Sequence, residues 1–292
     1  MKLPTLFATL AAAAAVGGTT GVAAADSKPL TVTVHTGSPA GFLVNSTLVA
    51  GDKEAILVDA QFTLADAHRL IAEILESKKT LTWVYITHFH PDHYFGLAAI
   101  RQAFPKAKLV ALPATVAEIK KTGASKVKQW GPRYGDNLAT QAIVPAELPG
   151  ARPTLVVDGQ TLEIHGGVMG DSADNSYVWI PSIKTVIAGD IVYRGVHPWT
   201  AESTPASRKQ WIKSLDELTA LGPTTVVAGH KDPKLEDDVA GIKQTRDYLE
   251  VFDAAVASSK TSAELQQKIK ARYSDLQLDV ILQIGADAAF KK

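Results

Sequence analysis

The run Thr87-His88-Phe89-His90-Pro91-Asp92-His93-Tyr94-Phe95-Gly96 packs three imidazoles and a carboxylate into six positions, directly after the apolar segment Leu81 to Ile86. Borderline divalent metals such as zinc take neutral imidazole nitrogen and carboxylate oxygen well. A polar surface loop has little use for such crowding. Two later apolar runs end in donors of the same kind: Thr185 to Ala188 leads through Gly189 into Asp190, and Thr225 to Ala228 leads through Gly229 into His230. A glycine just before each donor lets backbone approach closely. Taken singly, Asp190 reads as a turn residue and His230 as a surface histidine. Together with the first loop they read as ligands delivered to one centre from several strand ends.

The elements that must carry these donors follow from periodicity. Strands are expected at Thr31–His35, Phe42–Ala50, Ala55–Asp59, Leu81–Ile86 and Lys108–Ala111. A second β-rich half follows at Thr154–Val157, Thr161–His165, Tyr177–Ile180, Thr185–Ala188 and Thr225–Ala228. Helical spacing runs from Leu64 to Leu75, with Leu64, His68 or Leu70, Ile71 and Leu75 as one stripe. It recurs at Leu97–Phe104 and from Pro113 to about Lys121. The stretch Gly123 to Ala151, with Gly131-Pro132, Gly135-Asp136, Pro145 and Pro149, lacks periodicity and predicts an irregular, functional or mobile segment. Its Trp130, Arg133 and Tyr134 are candidates for a lid. Ser207 to Leu221 predicts a helix facing inward through Trp211, Leu215 and Leu218, with Ser207 and Gln210 resembling a capping box. The tail predicts a helix striped by Val239, Ile242, Leu249, Phe252 and Val256, then one capped by Thr261 and Glu264 that carries Leu265, Ile269 and Tyr273. Two β-rich halves with helices outside imply an α/β chain folded as a four-layer α/β/β/α sandwich.

Composition narrows the function classes. Lys2, the apolar run Leu3 to Val16 and Ala23-Ala24-Ala25 together predict a signal peptide over residues 1–25. The mature protein would then start at Asp26 and be periplasmic or secreted, as one domain over 26–292 with a helical extension from about residue 236. The apolar run is too short for a good membrane span. The chain has 30 basic and 30 acidic residues. Such balance leaves no electrostatic footprint for nucleic acid or an anionic membrane. The absence of cysteine excludes thiolate ligands and thiol nucleophiles.

On the donors above, the chain resembles the metallo-β-lactamase-fold hydrolase superfamily. Its H-x-H-x-D-H signature is matched by His88, His90, Asp92 and His93, its bridging aspartate by Asp190 and its last histidine by His230. The resemblance covers about residues 31–232. It implies an αββα sandwich of the metallo-β-lactamase type with extra C-terminal helices. It further implies a first metal on His88 and His90, a second on Asp92, His93 and His230, and Asp190 between them. Zn2+, two per chain, is the implied cofactor.

The sequence departs from the family at one ligand. The third histidine of the first site normally comes from a G-H-T-x loop about twenty residues before the bridging acid; here that loop reads Gly170-Asp171-Ser172. Asp171 is the expected replacement, His165 the minority candidate, and a third possibility is that Asp171 binds nothing. A carboxylate makes the first site harder and richer in oxygen, so manganese or iron becomes acceptable.

Two cations a few ångström apart would share a hydroxide that attacks an electrophilic carbonyl or phosphorus centre. The expected activity is hydrolysis of an ester, lactone, thioester or amide of a small molecule, with Asp92 and Tyr193 as catalytic candidates. Tyr193 lies three residues beyond Asp190, where lactonases of the fold carry a substrate-contacting tyrosine; a core aromatic is the competing reading. His197 and Trp199 follow closely and are candidates to line the same pocket. True β-lactamases of the fold generally lack the bridging acid, so Asp190 argues against antibiotic hydrolysis as the main role, although export argues for it. The same ligand set would also serve iron-dependent redox chemistry, or a metal-binding protein whose altered first site has lost catalysis.

Overall fold

The computed structural model describes Met1 and residues 28–291, so the expected signal peptide and its cleavage site lie outside the described residues. Two sheets face each other. The first holds β1 (Thr31–Thr36), β2 (Asn45–Ala50), β3 (Glu54–Val58), β4 (Thr80–Ile86), β5 (Lys108–Ala111) and β6 (Ala146–Glu147) in that spatial order, antiparallel up to β3 and parallel beyond it. The second, with spatial order β12-β10-β9-β8-β7, is made of β7 (Thr154–Val157), β8 (Gln160–Val168), β9 (Asn175–Ile180), β10 (Thr185–Ile187) and β12 (Thr225–Val227). A two-stranded parallel ribbon of β11 (Tyr193–Arg194) and β13 (His230–Lys231) closes the end where the donors gather.

Residues of β2, β3, β9 and β10 are buried on both faces, which is why these segments read as near-continuous apolar runs, whereas β1 and β7 at the sheet edges alternate with exposed positions. Ile56, Val58 and Tyr85 of the first sheet and Leu162, Ile164, Val178, Ile187 and Val227 of the second fill the space between the sheets. Their neighbours in sequence point outward. Leu57, Val84 and Ile86 pack under α1 (Leu64–Glu76), α3 (Leu97–Ala103) and α4 (Pro113–Tyr134), while the single turn α2 (Pro91–Tyr94) follows the histidine loop. On the far side Val186 and Val226 pack under Trp211, Leu215 and Leu218 of α5 (Pro205–Ala220) and under Ile242 and Leu249 of α6 (Ala240–Ser258). Each fully buried aliphatic side chain of this kind stabilises by about 1.5–3 kcal/mol. The result is the expected four-layer αββα sandwich. α7 (Ser262–Arg272) and α8 (Asp279–Phe290) then join α6 around Tyr248, Phe252, Leu265, Ile269 and Leu282. Among the described residues no helix is long and apolar enough to cross a membrane.

Several local expectations are corrected. α4 does not stop near Lys121 but runs to Tyr134, so Trp130, Arg133 and Tyr134 sit on a helix and not in an irregular lid. Trp130 and Tyr134 pack edge to face against Phe62, fixing that end of the helix. The buried face of α1 is Ala67, Leu70, Ile71 and Ile74; His68 and Leu75 face solvent. The cap of α5 is Thr204, which forms a capping box with Ser207 and puts Pro205 at the first helical position. Val239 is half exposed and precedes α6. β2 begins at Asn45, because Phe42 and Leu43 take left-handed backbone angles (φ 60° and 54°). The cap of α7 is Thr261, as expected.

Candidate metal centre

Each donor is delivered by the end of an element. β4 hands the chain through Thr87 to His88; His90 caps α2, and that turn carries Asp92 and His93. Asp190 sits in a tight turn directly after β10, and His230 opens β13 beside Tyr193. Asp171, between β8 and β9, is held by its own N–H, which donates to the Asp190 carbonyl at 3.2 Å. The glycines act as expected. A Cβ on Gly229 would stand 2.0 Å from Asp190 Oδ1, and Gly189 has φ +51°. All seven expected donors converge in two groups, His88, His90, Asp171 and Asp190 in one and Asp92, His93 and His230 in the other. Asp190 lies between them, with Oδ1 3.2 Å from His93 Nε2 and Oδ2 3.3 Å from His230 Nε2 and 3.7 Å from His88 Nε2. His165 joins neither group: it stacks on Tyr177 and faces Glu163.

The outward side of each ring is tied down. His93 Nδ1–H donates to Asp59 Oδ2 at 2.8 Å, and His230 Nδ1–H donates to the Phe42 carbonyl at 2.7 Å. Thr87 donates its hydroxyl to Asp59 Oδ2, so its oxygen accepts from His88 Nδ1–H at 3.1 Å. These bonds fix the tautomers with Nε2 lone pairs pointing inward. His90 is turned the other way: Nδ1 faces Asp171 Oδ2 at 2.7 Å and Nε2 faces Glu202 at 3.4 Å. Asp171 Oδ1 accepts from Asn175 at 3.1 Å and Ser172 at 3.2 Å, which leaves Oδ2 as its one inward oxygen.

Four buried atoms of this cluster, His88 Nε2, His93 Nε2, Asp171 Oδ2 and Asp190 Oδ1, make no well-aligned hydrogen bond, although Asp171 Oδ2 faces His90 Nδ1 at 2.7 Å and Asp190 Oδ1 faces His93 Nε2 at 3.2 Å. Native proteins rarely strand buried polar groups in this way. A mixed imidazole and carboxylate set around such atoms fits divalent cations. Without them, protons balance the charge. Burial opposes a charged His90 and His230, but Asp171 beside the first and Asp190 beside the second outweigh it and push both up to about 10. Burial likewise opposes charging His93, and Asp190 and Asp59 overcome it. Burial, with His93 adding to it, holds His88 well below the usual imidazole range. Asp190 stays well below the usual carboxylate range because His230, His93 and His88 outweigh its burial, whereas burial raises Asp171. Divalent cations would replace those protons.

Tyr193 reaches the cluster. Its hydroxyl donates to Asp190 Oδ2 at 2.7 Å, its ring stacks on His230, and burial followed by Asp190 keeps it a neutral phenol. His197, Trp199 and Trp130 line the cleft above the donors. Sequence reasoning missed Asp59, Phe42, Asn175, Glu202 and the wall built by α8. Asp59 had a signal, since β3 ends in a carboxylate just as β10 does.

The Metallo-beta-lactamase superfamily model matches residues 39–230, and the chain belongs to that superfamily. It is 26% identical over 204 residues to the uncharacterized protein YobT of Bacillus subtilis (strain 168), covering 66% of this chain and 84% of that one. Among solved structures it resembles a metallo-beta-lactamase family protein from Thermus thermophilus, with 20% identity, TM-score 0.61, and 86% of this chain and 91% of that one covered. It also resembles the DIM-1 metallo-beta-lactamase, with 23% identity, TM-score 0.55, and 75% and 92% covered. At such identities the two structures speak for the fold alone.

Proposed function

We propose that this protein is an exported hydrolase that holds two divalent cations, zinc foremost, and cleaves an ester, lactone, thioester or amide bond of a small molecule. The observation that carries the reading is the convergence of seven imidazole and carboxylate donors in two adjoining groups, with His88 Nε2, His93 Nε2, Asp171 Oδ2 and Asp190 Oδ1 all turned inward. His88, His90 and Asp171 would hold one cation, Asp92, His93 and His230 the other, with Asp190 between. Two nitrogens and two carboxylates in the first group also suit manganese or iron. When bound, such a pair supplies Lewis acidity and an activated water.

The chain's own residues supply the rest. Asp92 is the most exposed of the donors on the cleft wall. Burial opposes its charge, but His93 and His230 outweigh it and hold the carboxyl well below the usual carboxylate range, so it would face the substrate as an ionised ligand and hydrogen-bond acceptor. Tyr193, kept protonated, offers its O–H toward the substrate carbonyl once Asp190 is engaged. Metal quantification alongside a panel of chromogenic esters, lactones, thioesters and cephalosporins tests this reading. Two equivalents of metal with turnover of at least one class is the expected result; one equivalent and no turnover across the panel would overturn it. Export is checked separately by N-terminal sequencing of protein recovered from periplasm and medium, with Asp26 as the expected first residue.

A further inference from the structure

The cleft above the donors encloses about 780 Å3 including its mouth. One wall lies outside the segment matched by the family. α8 follows residue 230 and sends Ile281 and Ile284 onto the cleft. The helix is pinned there. His197 N–H donates to the Gln277 carbonyl and Gln277 N–H donates to the Gly195 carbonyl, both at 3.0 Å. A Cβ on Gly285 would meet Thr200 Oγ1 at 2.2 Å, so α8 presses on the loop that carries Trp199.

Another part of the wall is α4, where Lys126, Gln129 and Trp130 fall at i, i+3 and i+4 on one face. Among the described lining residues Lys126 is the one Lys or Arg. Its side chain is only 22% exposed, and the nearest carboxylate, Glu202, stands 4.0 Å away. No hydrogen bond to the ammonium is made among the described residues, and Glu202 is already turned toward His90. A half-buried, poorly partnered ammonium in a cleft that indole and aliphatic side chains also line attracts an anion more strongly than one in open water. One ammonium, already offset in part by Glu202 at 4.0 Å, suits a monoanion sooner than a phosphate dianion.

We propose that the substrate of this site carries a carboxylate and an apolar body besides the bond to be cleaved, with Lys126 reading the carboxylate and Ile281 and Ile284 packing the body. The proposal rests on the hydrolase reading above and names its substrate class. Two measurements keep the failures of the two readings apart. The first compares kcat/KM for p-nitrophenyl butyrate and the p-nitrophenyl monoester of glutarate. Wild type should favour the glutarate ester about tenfold, as expected for one hydrogen bond to a charged group; Lys126→Met should bring the ratio near one, and Lys126→Arg should restore part of it. The second needs no turnover: the metal-loaded protein is titrated with hexanoate and adipate, followed by tryptophan fluorescence. Adipate should bind more tightly, Lys126→Met should erase that difference, and Ile284→Ala, at a half-buried position, should weaken both ligands alike. Equal affinities in wild type, or a preference that survives Lys126→Met, would overturn the proposal. Absence of turnover with intact binding preferences would leave it standing and count against the hydrolase reading.

Discussion

His93 and Asp59 are joined by a 2.8 Å hydrogen bond from Nδ1–H to Oδ2, with both side chains buried. The same carboxylate accepts the Thr87 hydroxyl and N–H, so through Thr87 it also sets the ring of His88. One residue therefore orients a donor of each group. Asp59→Asn keeps the shape but turns an N–H2 toward His93 Nδ1–H, forcing that ring to flip or change tautomer. The expected result is a 10–100-fold loss of metal affinity, roughly the cost of removing a partner behind a ligand. Competition with a chromophoric chelator measures it, and wild-type affinity in the variant would remove Asp59 from this role.

Asp171 presents one oxygen inward because Asn175 and Ser172 occupy the other. Asp171→Ala is expected to lower metal content from two equivalents to one, and Asn175→Ala to weaken the first cation about tenfold while keeping the stoichiometry. Asp171→His should shift preference from manganese toward zinc. Metal analysis of protein loaded at limiting metal reads all three. An unchanged affinity and pH profile in Asp171→His would mean that Asp171 is no ligand.

Gly229 shows how tightly the turns after β10 and β12 meet. A Cβ there would stand 2.0 Å from Asp190 Oδ1 and 2.7 Å from the Gly189 carbonyl carbon. The second contact is backbone, so little can yield. Gly229→Ala should cost about 3 kcal/mol, at the upper end for overpacking, and displace Asp190 from between the groups. Urea unfolding and metal titration should both register the change; a variant of wild-type stability that still takes two metals would contradict the packing argument.

How much of this was legible depends on what kind of signal a residue carries. Donors at strand ends announce themselves, because an apolar run stopping at Gly189-Asp190 or Gly229-His230 has few other uses. Asp59 ends β3 in the same way but stands alone, and its role emerges only when β3 and β4 lie side by side. The carbonyl of Phe42 carries no signal in residue type, and Glu202 meets His90 across 112 positions. α4 outruns its expected end because Gly123 and Pro132 look like breakers and do not act as such. Gly123 is instead a contact point, where a Cβ would stand 2.8 Å from that of Ala142. Pro132 lies exposed in the last turn, where water can take the carbonyl it leaves free.

His197 provides a pH dependence that does not involve the metals. Burial depresses it to about 4, against a partial pull from Asp279 at 3.6 Å and a small push from Lys270. Its Nδ1 faces the Tyr248 hydroxyl at 3.1 Å. The ring is neutral in the fold from about pH 4 upward, whereas in the unfolded chain it binds a proton below about pH 6.5. In that window the unfolded state binds more protons, so the contribution of His197 to stability falls as pH drops from about 6.5 to about 4 and levels off below. The loss is at most about 3 kcal/mol. Urea unfolding of the chelator-treated protein across this range, compared with His197→Gln, isolates the effect, since the glutamine does not titrate. Wild type should lose its margin over the variant on acidification. Parallel curves would mean that the imidazole is as free to charge in the fold as in the unfolded chain, and that α8 and Tyr248 do not seal it from water.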